Sequence, residues 1–517
     1  MKTMRTSRRA REAMKRAAEH FEAGEYEEAL DQYRTLPLSH LTPEVAADIA
    51  RVSANLALEE AATAGNLDPK VRRTLDYAAS AMETAIELDE SLAETGDYLI
   101  GKALLMIDMP NQALPHLTRL AERNPKDAEA AQMVAYCNDM LACPTSIPSW
   151  RTRAHAAWER FGKVEREVRE MLAVGDDEEA WQLAYDALPE SVDFEISLTD
   201  GSECPTLVLS PQHNRTELYK VTYLFDLAPR DITTSWYFAV GWPGADGVVL
   251  DTDDGLAIRA ADVTVWPTFD GDAVSIEAYS IALAALLETE QGPLRAEEAL
   301  LQLLDMTVGE IEMMQVLDGY KVLERPRREK GVPLPELRGL VYENLSEAWG
   351  DYLGSLLACL DAEYVFNSTP VKMPEDMQPG DRSDAYASVS SMPDVIDEFE
   401  DGYTDTVDIA LADGIVLGYV FIEHASVANG TASTEMLGEI YAEVESAIEA
   451  ATDGAEVSFT GETMGARCVY LDVIVFDFES FLNAAREVFA SLDAIESAAF
   501  HVFRPGVPSV ALKGSYD

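Results

Sequence analysis

Positive charge is what this sequence most lacks: 39 Lys and Arg stand against 93 Asp and Glu in 517 residues, a formal net charge of −54. So broad a negative potential repels phosphate backbones and anionic lipid, which argues against nucleic acid and membrane surfaces as partners. The excess of carboxylates reads first as a solubility device, since salt screens the self-repulsion it causes; a sharper reading is mimicry of nucleic acid by an antagonist of a basic protein such as a toxin. Cysteine is scarce as well: Cys137, Cys143, Cys204, Cys359 and Cys468 are five in number, scattered, and without a Cys-x-x-Cys pair. They read as reduced thiols of a cytoplasmic protein, not as a zinc or redox motif. No apolar run approaches the ~18–20 residues that span a bilayer. The opening MKTMRTSRRAREAMKR has no apolar stretch after its basic residues, so a secretory signal is not expected. Nucleophile elbow, phosphate-binding loop and metalloprotease helix are all missing, and no cofactor is expected.

What remains is a chain able to fold. Hydrophobic residues make up 47% and charged residues 26%, the balance of a protein with buried cores, and the length suggests about three domains. From Thr6 to about Leu141 apolar residues recur three and four apart, the period of packed helices. Within that region Ala17 to Tyr33 sets a small residue, Phe21, a Gly24-Glu25-Tyr26 turn and then Ala29-Leu30 and Tyr33 in order. Gly24 suits a tight turn between antiparallel helices, Ala29 permits close approach, and Tyr26 and Tyr33 fill the gaps. A second such stretch runs from Gly101 through Leu104, Ala113, Leu117 and Leu120 to Pro125, and Ala78 stands 35 residues before Ala113.

These stretches resemble the tetratricopeptide repeat, whose period is about 34 residues. The resemblance covers roughly the first quarter of the chain. It departs from the family between Ala29 and Ala78, a spacing of 49 residues that requires a longer helix from Pro43 to Ala64. It implies a concave groove, formed by the first helix of each pair, that holds another protein or a peptide. By matching position Arg11, Met14, Phe21, Tyr98, Lys102 and Met106 would face it, the aromatic residues as anchors and Arg11 and Lys102 as clamps on a carboxylate. The basic run from Arg8 to Arg16 reads as a solvated helix that meets an acidic surface.

Trp150 to about Val174 carries Ala154, Ala157, Trp158, Phe161, Val164 and Val168 on one helical face, a bridge between domains. The period then shifts toward two at Val192–Ile196 and Thr206–Leu209. An antiparallel sheet with helices on one face is expected next, with a helix at Thr216–Leu227, strands between 236 and 266, helices near 275–290 and 294–314, and a last strand at Tyr320–Leu323. Asp251-Thr252-Asp253-Asp254-Gly255 fails as a calcium loop, because Leu250, Thr252 and Ala261 occupy ligand places, and reads as a hairpin turn. Asp305, Glu310 and Glu312 read as a solvated helix face sooner than as acid/base groups.

A charged, proline-bearing stretch from Glu324 to Pro335 marks a boundary, followed by a helix to Leu360 and a loop-rich stretch from Pro370 to Ser391. From Ile415 the order is strand, helix, strand, strand, helix, strand, which resembles the ferredoxin-like split βαβ. The expected fold is therefore multidomain α and α+β: a helical-repeat domain at 1–147, a bridging helix with an α+β domain at 148–330, and a ferredoxin-like βαββαβ domain at 331–517. The arrangement is similar to that of bacterial repeat proteins, and a non-enzymatic adaptor is the function it implies. A metal-dependent enzyme is the alternative. Its carboxylates would be Glu462, Asp472 and Asp477 around Gly461–Arg467, with Tyr470, Asp472 and Cys468 on one strand face; the competing reading is a hairpin whose Asp477 caps the next helix. His424 and His501 read as structural.

Overall fold

The computed structural model describes residues 8–36, 42–64, 69–107, 109–142, 144, 148–198, 204–252, 256–287, 292–367, 380, 382–424, 434–452 and 456–514, without the side chains of 8–12, 60–64, 69, 87, 94 and 434–437. Its first part is a run of antiparallel helices: Arg8–Ala23, Tyr26–Arg34, Pro43–Ala64, Pro69–Leu88, Ala93–Met106, Pro110–Arg123 and Ala128–Met140. Each packs chiefly on its neighbour in sequence. The long Pro43–Ala64 helix absorbs the irregular spacing. Gly24 takes φ +78°, a left-handed turn conformation that a side chain would disfavour, between the first two helices. Small residues carry the close contacts: Ala17, Ala29, Ala78, Ala85 and Ala113 are fully buried. At the end of the series Asp97, only 1% exposed, accepts from Arg119, Arg123 and His116, so its charge is matched where it is buried.

Helix Trp150–Val174 starts with Ser149 accepting from the Thr152 N–H and ends at Gly175 in the left-handed conformation. Its apolar face belongs to the largest core. That core also takes in strands Asp193–Ser197 and Thr206–Ser210, helix Arg215–Asp226 and the C-terminal sheet from strand Val457–Gly465 to strand Val510–Lys513. The helix start is pinned to that sheet by hydrogen bonds from the Trp150 and Arg151 N–H groups to the Gly414 and Phe476 carbonyls. Lys220, 2% exposed, donates to Asp413 (2.8 Å) and to the Ser191 carbonyl (2.9 Å) across the same junction. A second core lies between residues 248 and 353. The cores run across the expected boundary at 330 and split the expected 148–330 unit: helix Leu337–Trp349 packs with the strands before it, and residues 150–240 pack with the C-terminal sheet. Helix Glu310–Val316 is the seam, giving Ile311 and Met314 to one core and Met313 and Val316 to the other.

The middle region corrects the expectation of one antiparallel sheet. Thr206–Ser210 pairs parallel with Tyr237–Val240, because helix Arg215–Asp226 lies between them and a crossover returns the chain in the same direction. Asp193–Ser197 pairs antiparallel on the other side. A separate sheet has the order Leu317–Val322, Ala273–Tyr279, Thr264–Asp270, Val332–Pro333. Ala273–Tyr279, expected to begin a helix, is a strand: Gly271-Asp272 closes a two-residue hairpin, and Val274, Ile276 and Ala278 are buried at period two. The Val249–Asp251 and Ala257–Arg259 strands flank the aspartate run as a hairpin, although 253–255 lie outside the described residues.

In the C-terminal region the helix expected to reach Leu360 stops at Trp349, and a shorter one, Leu356–Leu360, follows. The stretch expected to be loop contains strand Ala385–Ser390. The sheet has the order Tyr364–Asn367, Ala385–Ser390, Val457–Gly465, Cys468–Val475, Val416–Glu423, Ala498–Val502, Val510–Lys513, antiparallel throughout. Helices Thr434–Ala451 and Phe478–Ser491 connect its central strands. No described helix is long and apolar enough to cross a membrane.

Candidate functional site

The residues expected to form a repeat groove divide into two groups. Tyr98, Lys102 and Met106, one face of helix Ala93–Met106, line a recess of about 220 Å³ with Ala54 and Leu58 of Pro43–Ala64 and with Leu75, Leu99 and Ala103. Its floor is apolar, and Leu58 is 48% exposed. At the rim the Tyr98 hydroxyl donates to Glu129 Oε1 (2.9 Å) and accepts from Lys102 Nζ (3.2 Å). Met14 and Phe21 instead pack against the small core of the first helices, Phe21 with its ring 5.7 Å from that of Tyr26. The side chain of Arg11 lies outside the described residues.

The carboxylates Glu462, Asp472 and Asp477 are not brought together. Glu462 pairs with Leu471 and Asp472 with Gly461 across adjacent strands, so strand alternation turns the two acids to opposite faces of the sheet. Asp472 is 1% exposed and is held by the Arg382 guanidinium, which also donates to Thr463 Oγ1 (2.7 Å) and lies over the Tyr419 and Tyr470 rings. As expected, Cys468, Tyr470 and Asp472 share that face, where Asp384 accepts from the Tyr470 hydroxyl and from the Cys468 N–H (2.9 Å). Asp477 caps helix Phe478–Ser491, accepting from the Ser480 N–H (3.2 Å). Among the described residues no group of three His, Cys, Asp or Glu is placed to hold a metal ion. On that sheet face the Arg382 guanidinium matches the buried Asp472 charge.

A third place is better formed than either sequence candidate. Asp305, Glu310 and Glu312 are not a solvated face: they are 5%, 1% and 9% exposed, because the chain turns at Gly309 and drives helix Glu310–Val316 into the seam between the two cores. Glu310 Oε1 accepts from Ser210 Oγ (2.9 Å) and the His213 N–H (3.1 Å), and Oε2 accepts from the Trp242 N–H (3.0 Å). Burial, and then the nearby Asp305 charge, push its pKa up to about 7 against those hydrogen bonds. His213 Nδ1 meets Asp305 Oδ1 at 3.2 Å; burial raises the Asp305 pKa and the imidazole holds it back. Gln212 and His213, at φ +52° and +55°, adopt the left-handed conformation that non-glycine residues seldom take, and this aims the His213 N–H at Glu310. Glu312 has a different role, binding the Tyr342 hydroxyl (2.9 Å) and Arg338.

Ser210, Gln212, Asp305 and Glu310 border a cavity of about 540 Å³, lined also by Trp242, Leu250, Leu301 and Met306 and by the exposed Asp193 and Glu298. It lies where the parallel strands Thr206–Ser210 and Tyr237–Val240 end, the edge at which open α/β sheets place their ligands. Sequence reasoning missed Ser210, His213 and Trp242. Their partners lie 92 to 100 residues away in the first two cases and 68 in the third, and no local spacing encodes such a meeting.

No protein-family model matches the chain, and no curated protein matches it in sequence.

Proposed function

We propose that the protein is a non-enzymatic adaptor whose N-terminal helices, of tetratricopeptide type, bind a segment of another protein. The observation that carries this reading is the apolar recess between helices Pro43–Ala64 and Ala93–Met106, with the Lys102 ammonium and the Tyr98 ring at its rim. Its occupant is a segment that offers one aliphatic or aromatic side chain to Leu58, Leu75 and Met106 and a neighbouring carboxylate to Lys102. Antiparallel helix pairs with buried alanines at their crossings support the repeat assignment. The βαββαβ order, and central strands arranged second, third, first, fourth, support a ferredoxin-like core enlarged by flanking strands. Cys137, Cys359 and Cys468 are buried free thiols, which suits the cytoplasm.

The test is photo-crosslinking from Leu58 in the full chain, expressed in its native host, with the captured peptide sequenced by mass spectrometry. One peptide with an apolar residue beside Asp or Glu is expected, and the double variant Tyr98→Ala/Lys102→Glu should lower its yield about tenfold or more. Scattered crosslinks, or a yield that the double variant leaves unchanged, would overturn the reading.

A further inference from the structure

The strongest feature outside the repeat is the seam cavity, whose walls carry four carboxylates, from Asp193, Glu298, Asp305 and Glu310, and, among the described residues, no Lys or Arg. The oxygens of Glu310 are occupied by protein donors. Asp305 differs. It is 95% buried and lines the cavity, its Oδ1 lies 3.2 Å from His213 Nδ1, and its Oδ2 accepts no hydrogen bond among the described residues. A carboxylate oxygen so placed is stable only if a donor from outside the chain completes it or a proton neutralises it. Trp242 and the methylenes of Leu301 and Met306 supply apolar wall between the charged groups.

We infer that the seam cavity is a binding site for a small linear aliphatic diamine or polyamine, whose buried ammonium donates to Asp305 while its methylene chain lies along Trp242, Leu301 and Met306.

The alternatives fit less well. A bare metal ion requires converging ligands, and no three are placed for one among the described residues. An anionic ligand would meet four carboxylates. A neutral apolar ligand would leave the Asp305 oxygen without a donor. The ammonium-and-methylene chemistry matches both halves of the lining: a Trp face attracts a cation, and a carboxylate that excludes water binds one more strongly than a solvated carboxylate does. Arg295 stands in an adjoining recess that shares Leu250, Glu298 and Gln302, outside the cavity itself. The volume lies within the ordinary range of small-molecule sites, about 300–1,000 Å³. The proposal is independent of the adaptor reading, because the cavity and the repeat recess share no residue.

A chain of such negative charge attracts polyamines anywhere on its surface, so the experiment must separate a site from counter-ion condensation. Putrescine and spermidine are titrated calorimetrically into the full chain at ~0.15 M salt, where the screening length is about 8 Å. One saturable site per chain is expected. Asp305→Asn should weaken it about tenfold or more, Trp242→Leu should weaken it and remove any ligand-induced change in that indole's fluorescence, and the exposed pair Glu178→Gln/Glu179→Gln should leave it unchanged. Circular dichroism establishes that each variant folds. Trp242→Leu, which leaves the carboxylates in place, carries the decision if Asp305→Asn does not fold. Uptake that never saturates, or that falls equally in the surface pair and the cavity variants, would overturn the inference.

Discussion

Glu310 is a carboxylate that folding penalises when it is charged. Its pKa rises from an ordinary 4.5 in the unfolded chain to about 7 when buried. Between those values the native state holds more protons than the unfolded state, so the stability of the protein falls as pH rises through the window. The contribution is roughly 3 kcal/mol. Glu310→Gln removes it, so the urea midpoint of the variant should depend less steeply on pH between ~4.5 and ~7 than that of the parent. Equal slopes would show that other groups carry the pH response. The amide also presents an N–H where the Trp242 or His213 N–H now donates, so the variant should be less stable below pH ~5 by about 1–2 kcal/mol. The contrast with Asp97 is one of partners. Asp97 is as deeply buried but faces two guanidinium groups and an imidazole, and these hold its pKa below the ordinary carboxylate value despite burial.

At the scale of elements, one glycine decides how the bridging helix meets the C-terminal sheet. Gly414 follows helix Asp405–Asp413 at φ +83°, and a β-carbon built there would stand 2.1 Å from the Pro148 carbonyl oxygen. Gly414→Ala should therefore cost about 2 kcal/mol or more in denaturant unfolding, through both backbone strain and the clash at the start of helix Trp150–Val174. A loss under ~0.5 kcal/mol would mean that the two elements part easily. Helices were the more legible elements: Trp150–Val174 and Phe478–Ser491 carry their period within their own length and their N-caps, Ser149 and Asp477, immediately before it. Sheet membership was not, because the partner of a strand is specified elsewhere in the chain. Ala385–Ser390, rich in small and polar residues, gives little sign that it pairs with Val457–Gly465. The same limit hid the cavity. The sequence displayed Asp305 and Glu310 on polar-looking helix turns, and only the long-range packing of Ser210, His213 and Trp242 buries them.

For the whole molecule the notable contact is Arg72, 6% exposed, which donates to both oxygens of Asp405 (2.6 and 2.5 Å) and lies 4.7 Å from the Tyr403 ring. It fastens the second helix pair to the C-terminal region. An Arg72→Met variant keeps much of the apolar contact and loses the paired charge, so calorimetry should resolve a separate, lower-temperature transition for the N-terminal helices where the parent unfolds with them. A single unchanged transition would show that apolar packing alone couples the two. A rigid attachment also fixes the apolar recess of the N-terminal helices relative to the rest of the surface, so that the partner proposed for it would be presented in one orientation.

The interleaving of the cores bears on synthesis. Helix Trp150–Val174 and strands Asp193–Ser197 and Thr206–Ser210 leave the ribosome with an apolar face of Trp158, Phe161, Phe194 and Leu207 whose cover runs as far as Leu512, about 270 residues after Val240. At ~5–20 residues per second the wait is tens of seconds. The region from 248 to 353 gathers its own core and can close during that interval, while the segment before it stays sticky until the last strands arrive. Nascent-chain capture should find general chaperones on ribosomes that have passed residue ~240 and not yet reached ~500, and the chain's large negative charge would keep such half-made molecules apart from one another in the meantime.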